Sequence, residues 1–165
     1  MKAVHMLIGI PGSGKSTYCK EILINKYKNA ILVASDKVRD NNPNVKEIDI
    51  WPIIYKQCAD ALNSNKSLIF DATNITPSVR KLFFDKIDEL GAKNYEKIAY
   101  YFITDVNKCI NRVEKRNQNP NERYLPVNII SGYNDRIIAP SKKEGFKEII
   151  VIDNNKNKKI HQINV

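Results

Sequence analysis

Gly9-Ile10-Pro11-Gly12-Ser13-Gly14-Lys15-Ser16 sets three glycines, a lysine and a hydroxyl side by side, with Thr17 next. The spacing is G-x-x-x-x-G-K-[ST] without a gap. Glycines at these positions let successive backbone N–H groups curl around an anion, and a helix opening at Lys15 adds the positive end of its dipole. Lysine contributes a point charge, and the serine hydroxyl suits a hard divalent cation. A nucleoside triphosphate with its Mg²⁺ uses all of these groups together. Gly12, Ser13, Gly14, Lys15, Ser16 and Thr17 are therefore the expected ATP-binding residues, with Lys15 also acting on the transferred phosphate.

A phosphate loop names a donor and leaves the acceptor open. Ligands of parallel α/β sheets collect beyond the carboxyl ends of the strands, so the residues there come next. Asp36 follows an apolar run, and Arg39 lies three residues on. On one helical turn the two share a face. Asp36 can deprotonate an attacking hydroxyl and Arg39 can grip an anionic acceptor; equally, Asp36 can be a helix cap with Arg39 in solvent. Asp71 closes another apolar run, where an aspartate can hold Mg²⁺, its water or the loop serine, or simply make a turn. Asn74, in the same turn, is a candidate for substrate binding. Arg116 and Arg123 flank a polar stretch at 117–126 that reads as a lid, and a lid arginine can stabilise the transferring phosphoryl group. Arg112 lies one turn before Arg116, where a solvated helix face explains it equally well.

These residues need a scaffold, and the hydrophobic pattern supplies one. Strands are expected at 3–9, 30–34, 67–70, 95–103 and 148–152, from short apolar runs. Helices are expected at 15–27, at 48–62 with a start near Pro52, from Pro77 to Leu90, from Asp105 to Arg116, and at 127–138. Thr76-Pro77 reads as N-cap and first helical residue, with Val79, Leu82, Phe83, Ile87 and Leu90 on one face and Gly91 as the stop. Residues 154–165 are polar and read as a short strand or a tail. The alternation implies an α/β fold, a central parallel sheet with helices on both faces and an arginine-bearing lid. With no repeat and no linker, residues 1–165 read as a single domain.

Bulk properties agree with this and exclude some classes. Hydrophobic residues make up 42% and charged residues 27% of the 165, as in an ordinary globular domain. No apolar run is long enough to span a membrane, and residues 1–10 do not have the form of a signal peptide. Three dispersed cysteines form neither a metal pair nor a disulfide framework, so a cytoplasmic setting is expected. Formal net charge is +9. A basic surface favours polyanions, but a Lys/Asn-rich composition produces the same number without any partner. His5, Trp51 and the tyrosines are read as packing groups. Oligomeric state has no signature in the sequence.

Six segments together resemble the phage-type and end-healing polynucleotide kinases: Gly9–Thr17 (GIPGSGKST), Ser35–Arg39 (SDKVR), Asp71–Arg80 (DATNITPSVR), Arg116–Pro126 (RNQNPNERYLP), Ser131-Gly132-Tyr133 and Ala139–Ile150 (APSKKEGFKEII). They occur in matching order over nearly the whole chain. The phosphate loop is shared by many enzymes, whereas the run from the lid to the EGF segment is more specific. The resemblance implies ATP- and Mg²⁺-dependent phosphorylation of the 5′-hydroxyl end of DNA or RNA. It implies Asp36 as general base, Arg39 on the acceptor's neighbouring phosphate, and Arg123 with Arg116 acting from the lid. Ser35 and Pro120 stand where relatives often carry arginine. Without a D-x-D-G-T motif, no 3′-phosphatase activity is expected. Two other classes fit the same loop: a kinase of small hydroxyl compounds (nucleoside, sugar or antibiotic), and a regulatory nucleotide-binding module, in which Asp36 has no task.

Overall fold

Every side chain of strand β1 (Ala3–Ile8) is buried, as expected of a central strand in a parallel sheet covered on both faces. The computed structural model describes residues 1–155 and, by backbone, 161–164. After β1 come α1 (Lys15–Tyr18), a π-helical turn (Cys19–Leu23) and α2 (Ile24–Lys26), then β2 (Ile31–Ala34), α3 (Ser35–Asn41) and α4 (Glu47–Asn63). The chain continues through β3 (Leu68–Asp71), α5 (Pro77–Glu89), β4 (Glu96–Ile103), α6 (Val106–Asn117), α7 (Asn128–Arg136), β5 (Glu148–Asp153) and β6 (His161–Asn164). Sheet order is β2-β3-β1-β4-β5-β6. The first five strands are parallel, and β6 pairs antiparallel with β5. A strand therefore lies within the polar C-terminal stretch; residues 156–160 and 165 of that stretch fall outside the described residues.

Alternation along β1 divides the core. Val4, Met6 and Ile8 pack with α4 and α5 on one face, through Ile54, Leu62, Phe83 and Ile87. Ala3 and Leu7 pack on the other face with Tyr18, Cys19 and Leu23 of the first helical run. A third cluster joins Ile10 of the phosphate loop to Cys109 and Val113 of α6 and Ile130 of α7. All three cysteines are buried as free thiols and act as small apolar groups.

Two helices depart from the expected pattern. Helix α4 starts at Glu47 and carries Pro52 inside it, rather than starting near the proline. Proline opposes the carbonyl four residues back, and that residue, Ile48, is exposed. In α5 the cap is as expected: Thr76 Oγ1 accepts from the Val79 N–H at 3.3 Å, and Gly91 has φ +93°. The buried stripe, however, is Arg80, Phe83, Phe84 and Ile87, while Val79, Leu82 and Leu90 are exposed. Phe83, common to both faces, stacks on Phe70 of β3 at 4.3 Å between centroids.

Arg80 occupies a core position because every side of its guanidinium is met. Nε and Nη2 donate to the two Glu144 carboxylate oxygens at 2.7 and 2.9 Å, and Nη1 donates to the Asn74 and Ile138 carbonyls at 2.8 and 3.1 Å. One side chain thus ties the turn after β3 to the segment leaving α7. His5 is buried as well, its Nδ1 3.1 Å from the Tyr100 hydroxyl, and burial with the Lys26 charge lowers its pKa to about 4.

Two stability outcomes follow from these buried groups. Glu144→Ala leaves a buried cation unpaired and is expected to cost about 3–5 kcal/mol in denaturant titration; a loss below ~1 kcal/mol would show that the pair is dispensable. For His5 the folded pKa lies below the unfolded value of about 6.5. Its contribution is therefore complete above that value and is lost as pH falls from about 6.5 towards 4. His5→Gln should flatten the fall in stability across that window, measured by chemical denaturation at several pH values.

Candidate active site

A loop that turns N–H groups towards an anion must turn carbonyls the other way, and here three of those carbonyls are met by side chains. The Ile10 carbonyl accepts from Lys15 Nζ at 2.9 Å, and the Gly12 carbonyl from Arg112 Nη1 at 3.0 Å. The Ser13 carbonyl accepts from Thr104 Oγ1 at 3.0 Å and Asn154 Nδ2 at 2.7 Å. Gly12 and Gly14 have φ of +81° and +98°, a region that L side chains rarely adopt. A Cβ on Gly12 would also stand 2.6 Å from the Cys109 carbonyl oxygen. The loop is thus shaped by its neighbours before any ligand arrives.

The first N–H groups of α1 have no intrahelical partner by construction, and they open at Lys15 onto a cleft of about 960 Å³ at the carboxyl ends of the strands. Ser16 Oγ donates to Asp71 Oδ2 at 2.8 Å, joining helix α1 to the end of β3. Burial lowers the pKa of Lys15, opposed first by Asp71 and then by Asp36. Burial raises that of Asp71, opposed by Lys15 and the Ser16 hydroxyl. Each group therefore sustains the other's charge in a desolvated setting.

The other side of the cleft is acidic and basic at once. Asp36 and Arg39 share the first turns of α3, as their spacing suggested, with Arg39 Nη1 donating to Asp36 Oδ1 at 3.0 Å. Arg39 is also held by Glu47 of α4, and lies over the Trp51 ring. From the lid side, Arg116 is half-buried and its Nε is buried without a partner among the described residues. Arg123 reaches towards α3, with Nη1 3.8 Å from Asp40 Oδ1. Lys15, Ser16, Thr17, Asp36, Arg39, Asp71, Arg116 and Arg123 all line one cleft.

Asn74 does not join them. It is buried at φ +47°, and its amide donates to the Leu7 carbonyl at 2.8 Å. The substrate-binding expectation for Asn74 is corrected to a structural one, because its side chain is spent on β1 and its own carbonyl on Arg80. Arg112, read evenly between solvent and lid, holds the phosphate loop. Glu47, Thr104 and Asn154 are site residues that the sequence reading passed over, and Trp51, read there as a packing group, lines the cleft against Arg39. Thr104 and Asn154 directly follow the ends of β4 and β5, a position that does mark candidates. Glu47 carries no local signal, since its partner is set by packing of α4 on α3.

Similarity to known proteins agrees with this geometry. The model of an AAA domain family, AAA_33, matches residues 4–137. A protein described as transcription factor bHLH140 from Arabidopsis thaliana is 29% identical over 113 residues, 68% of this chain. The chain spans about 11% of that protein's length. A fungal RNA kinase superposes with a TM-score of 0.63 at 18% identity, covering 96% of this chain and 78% of that one. A gluconokinase from Sinorhizobium meliloti 1021 superposes with a TM-score of 0.56 at 15% identity, covering 92% and 82%. Such likenesses show a shared kinase fold. With the family match spanning most of the sequence and the phosphate loop formed at the head of α1, the chain belongs to the AAA domain family, as a P-loop kinase-like domain.

Proposed function

We propose that this domain is an ATP-dependent kinase of polynucleotide 5′-hydroxyl ends, DNA or RNA. The observation that carries the proposal is the placement of Asp36, an exposed carboxylate held by Arg39, across one cleft from Lys15 and the Ser16–Asp71 pair. A regulatory nucleotide-binding module has no use for such a carboxylate. The similarity to a fungal RNA kinase and the order of sequence motifs from the lid onward support a nucleic-acid acceptor. Chemically, Asp36 accepts the proton of the acceptor hydroxyl as its oxygen bonds to the γ-phosphorus, and the bond from that phosphorus to the ADP oxygen breaks. Lys15 and Arg116 face the charge on the transferring phosphoryl group, and Arg123 completes the cationic set from the lid.

Mg²⁺ fits the donors present: one hydroxyl and one carboxylate, with phosphate and water left to complete an octahedron. Among the described residues no group of three or more metal-ligating side chains occurs, so Ser16 and Asp71 would hold the ion only together with a phosphate. When bound, it neutralises phosphate charge. The unpartnered Arg116 Nε is likewise suited to an anion.

A kinase of a small hydroxyl compound is the second reading. It is favoured by the balance of the cleft, where five cationic side chains (Lys15, Arg39, Arg112, Arg116, Arg123) face four carboxylates (Glu21, Asp36, Glu47, Asp71). Such a balance gives little electrostatic preference for a polyanion. No described helix is long and apolar enough to cross a membrane.

The deciding assay is γ-phosphate transfer from Mg-ATP to a 5′-hydroxyl oligonucleotide, beside a panel of nucleosides and sugars. Labelling of the oligonucleotide is expected; labelling of a small compound alone would establish the second reading. Lys15→Ala should abolish transfer, and retained activity would refute the donor-site assignment. Asp36→Ala should lower kcat by about 10²–10⁴ while calorimetric ATP affinity holds. Loss of ATP binding instead would make Asp36 a structural support of the nucleotide site, acting through its charge on Lys15.

A further inference from the structure

The side fork of Arg39, where an anion would be gripped by two parallel bonds, already holds a carboxylate. Its Nε donates to both Glu47 carboxylate oxygens, at 3.1 and 3.0 Å, and its Nη2 donates to Glu47 Oε1 at 2.7 Å. This is the two-pronged geometry by which a guanidinium takes a carboxylate or a phosphate. Nη1 is spent on Asp36 Oδ1. The guanidinium carbon lies 5.6 Å from the Trp51 ring centroid, so the plane of the fork is backed by an aromatic face. The Arg39 side chain is only 16% exposed, against 64% for Asp36 and 60% for Glu47.

We propose that Glu47 determines acceptor specificity: it fills the anion seat of Arg39, so that Arg39 orients Asp36 and does not bind the phosphate next to the reacting hydroxyl. The inference rests on the kinase reading above and replaces the expectation that Arg39 grips that phosphate. Charge argues the same way. One guanidinium already faces two carboxylates, and a phosphate entering here would have to displace Glu47 and then lie beside two like charges. Arg123, 3.8 Å from Asp40, adds a cation at the rim of this cluster. The acceptor class that fits is a hydroxyl end recognised by its sugar and base, with little contribution from its first phosphate.

The test compares two 5′-hydroxyl oligonucleotides that differ only at the first internucleotide linkage, a natural phosphodiester in one and a neutral methylphosphonate in the other. Wild-type kcat/KM should differ between them by less than about threefold, the range of an exposed, screened contact. Glu47→Gln should open the seat and favour the charged linkage by about tenfold, through a lower KM for that substrate alone. Glu47→Asp, which keeps the carboxylate, should keep the wild-type ratio between the two linkages, and Glu47→Gln combined with Arg39→Ala should lose the new preference. A purely structural role for Glu47 would shift both substrates equally. An active Glu47→Gln enzyme with an unchanged ratio overturns the proposal, as does a strong wild-type preference for the charged linkage that Arg39→Ala removes. If wild type labels neither oligonucleotide, the polynucleotide kinase reading falls and this inference with it.

Discussion

Peptide geometry forces a trade at the phosphate loop. N–H groups can converge on one point only if the carbonyls between them point away, and a buried carbonyl needs a donor. Helix and sheet solve this with their own ladders, but a loop of this kind has none to call on. The donors must come from elsewhere in the fold: Thr104 after β4, Arg112 on α6, Asn154 after β5, and Lys15 from within. Much of the architecture serves that need. Parallel pairing of β1, β4 and β5 brings their carboxyl ends to one edge, and the cluster of Ile10 with Cys109, Val113 and Ile130 seats α6 against the loop.

The same arrangement explains the electrostatics. Lys15 and Asp71 are both desolvated, and neither would keep its charge alone. Ser16 bridges them by standing beside the lysine in sequence and donating to the aspartate in space. The acceptor side follows a different logic: Asp36 and Glu47 stay largely exposed, and only the arginine between them is withdrawn from solvent. One side of the cleft is therefore a buried, preorganised pair, and the other a solvated cluster whose orientation depends on one shielded guanidinium.

Legibility in the sequence tracked the range of the interactions. Five strands, the Thr76 cap and the phosphate loop depend on neighbours within a few residues, and all were readable. Asp36 and Arg39 were readable as a pair because one helical turn joins them. Asn74 was misplaced for a long-range reason: its amide partner is Leu7, across the sheet. The phase of α5 was misjudged because an arginine was not counted as core, and two of the partners that make it so, Ile138 and Glu144, lie far along the chain. Glu47 was invisible for a related reason. Proline looked like the start of α4, and the true first turn, which delivers Glu47 to Arg39, lies ahead of it.

Asp36, Arg39, Glu47 and Trp51 all fall in one continuous segment, between β2 and the middle of α4. The donors that hold the phosphate loop come from β4, α6 and β5, on the other side of β1 in the sheet. The stretch around Asp36, whose charge supports Lys15, can therefore vary while the donors that hold the phosphate loop stay in place. On the kinase reading proposed above, segment exchange around Asp36 would move a family member from one alcohol to another while its fuel stays the same. Paralogues built on this plan should diverge as cassettes, with drift concentrated in α3 and α4 and a conservative remainder.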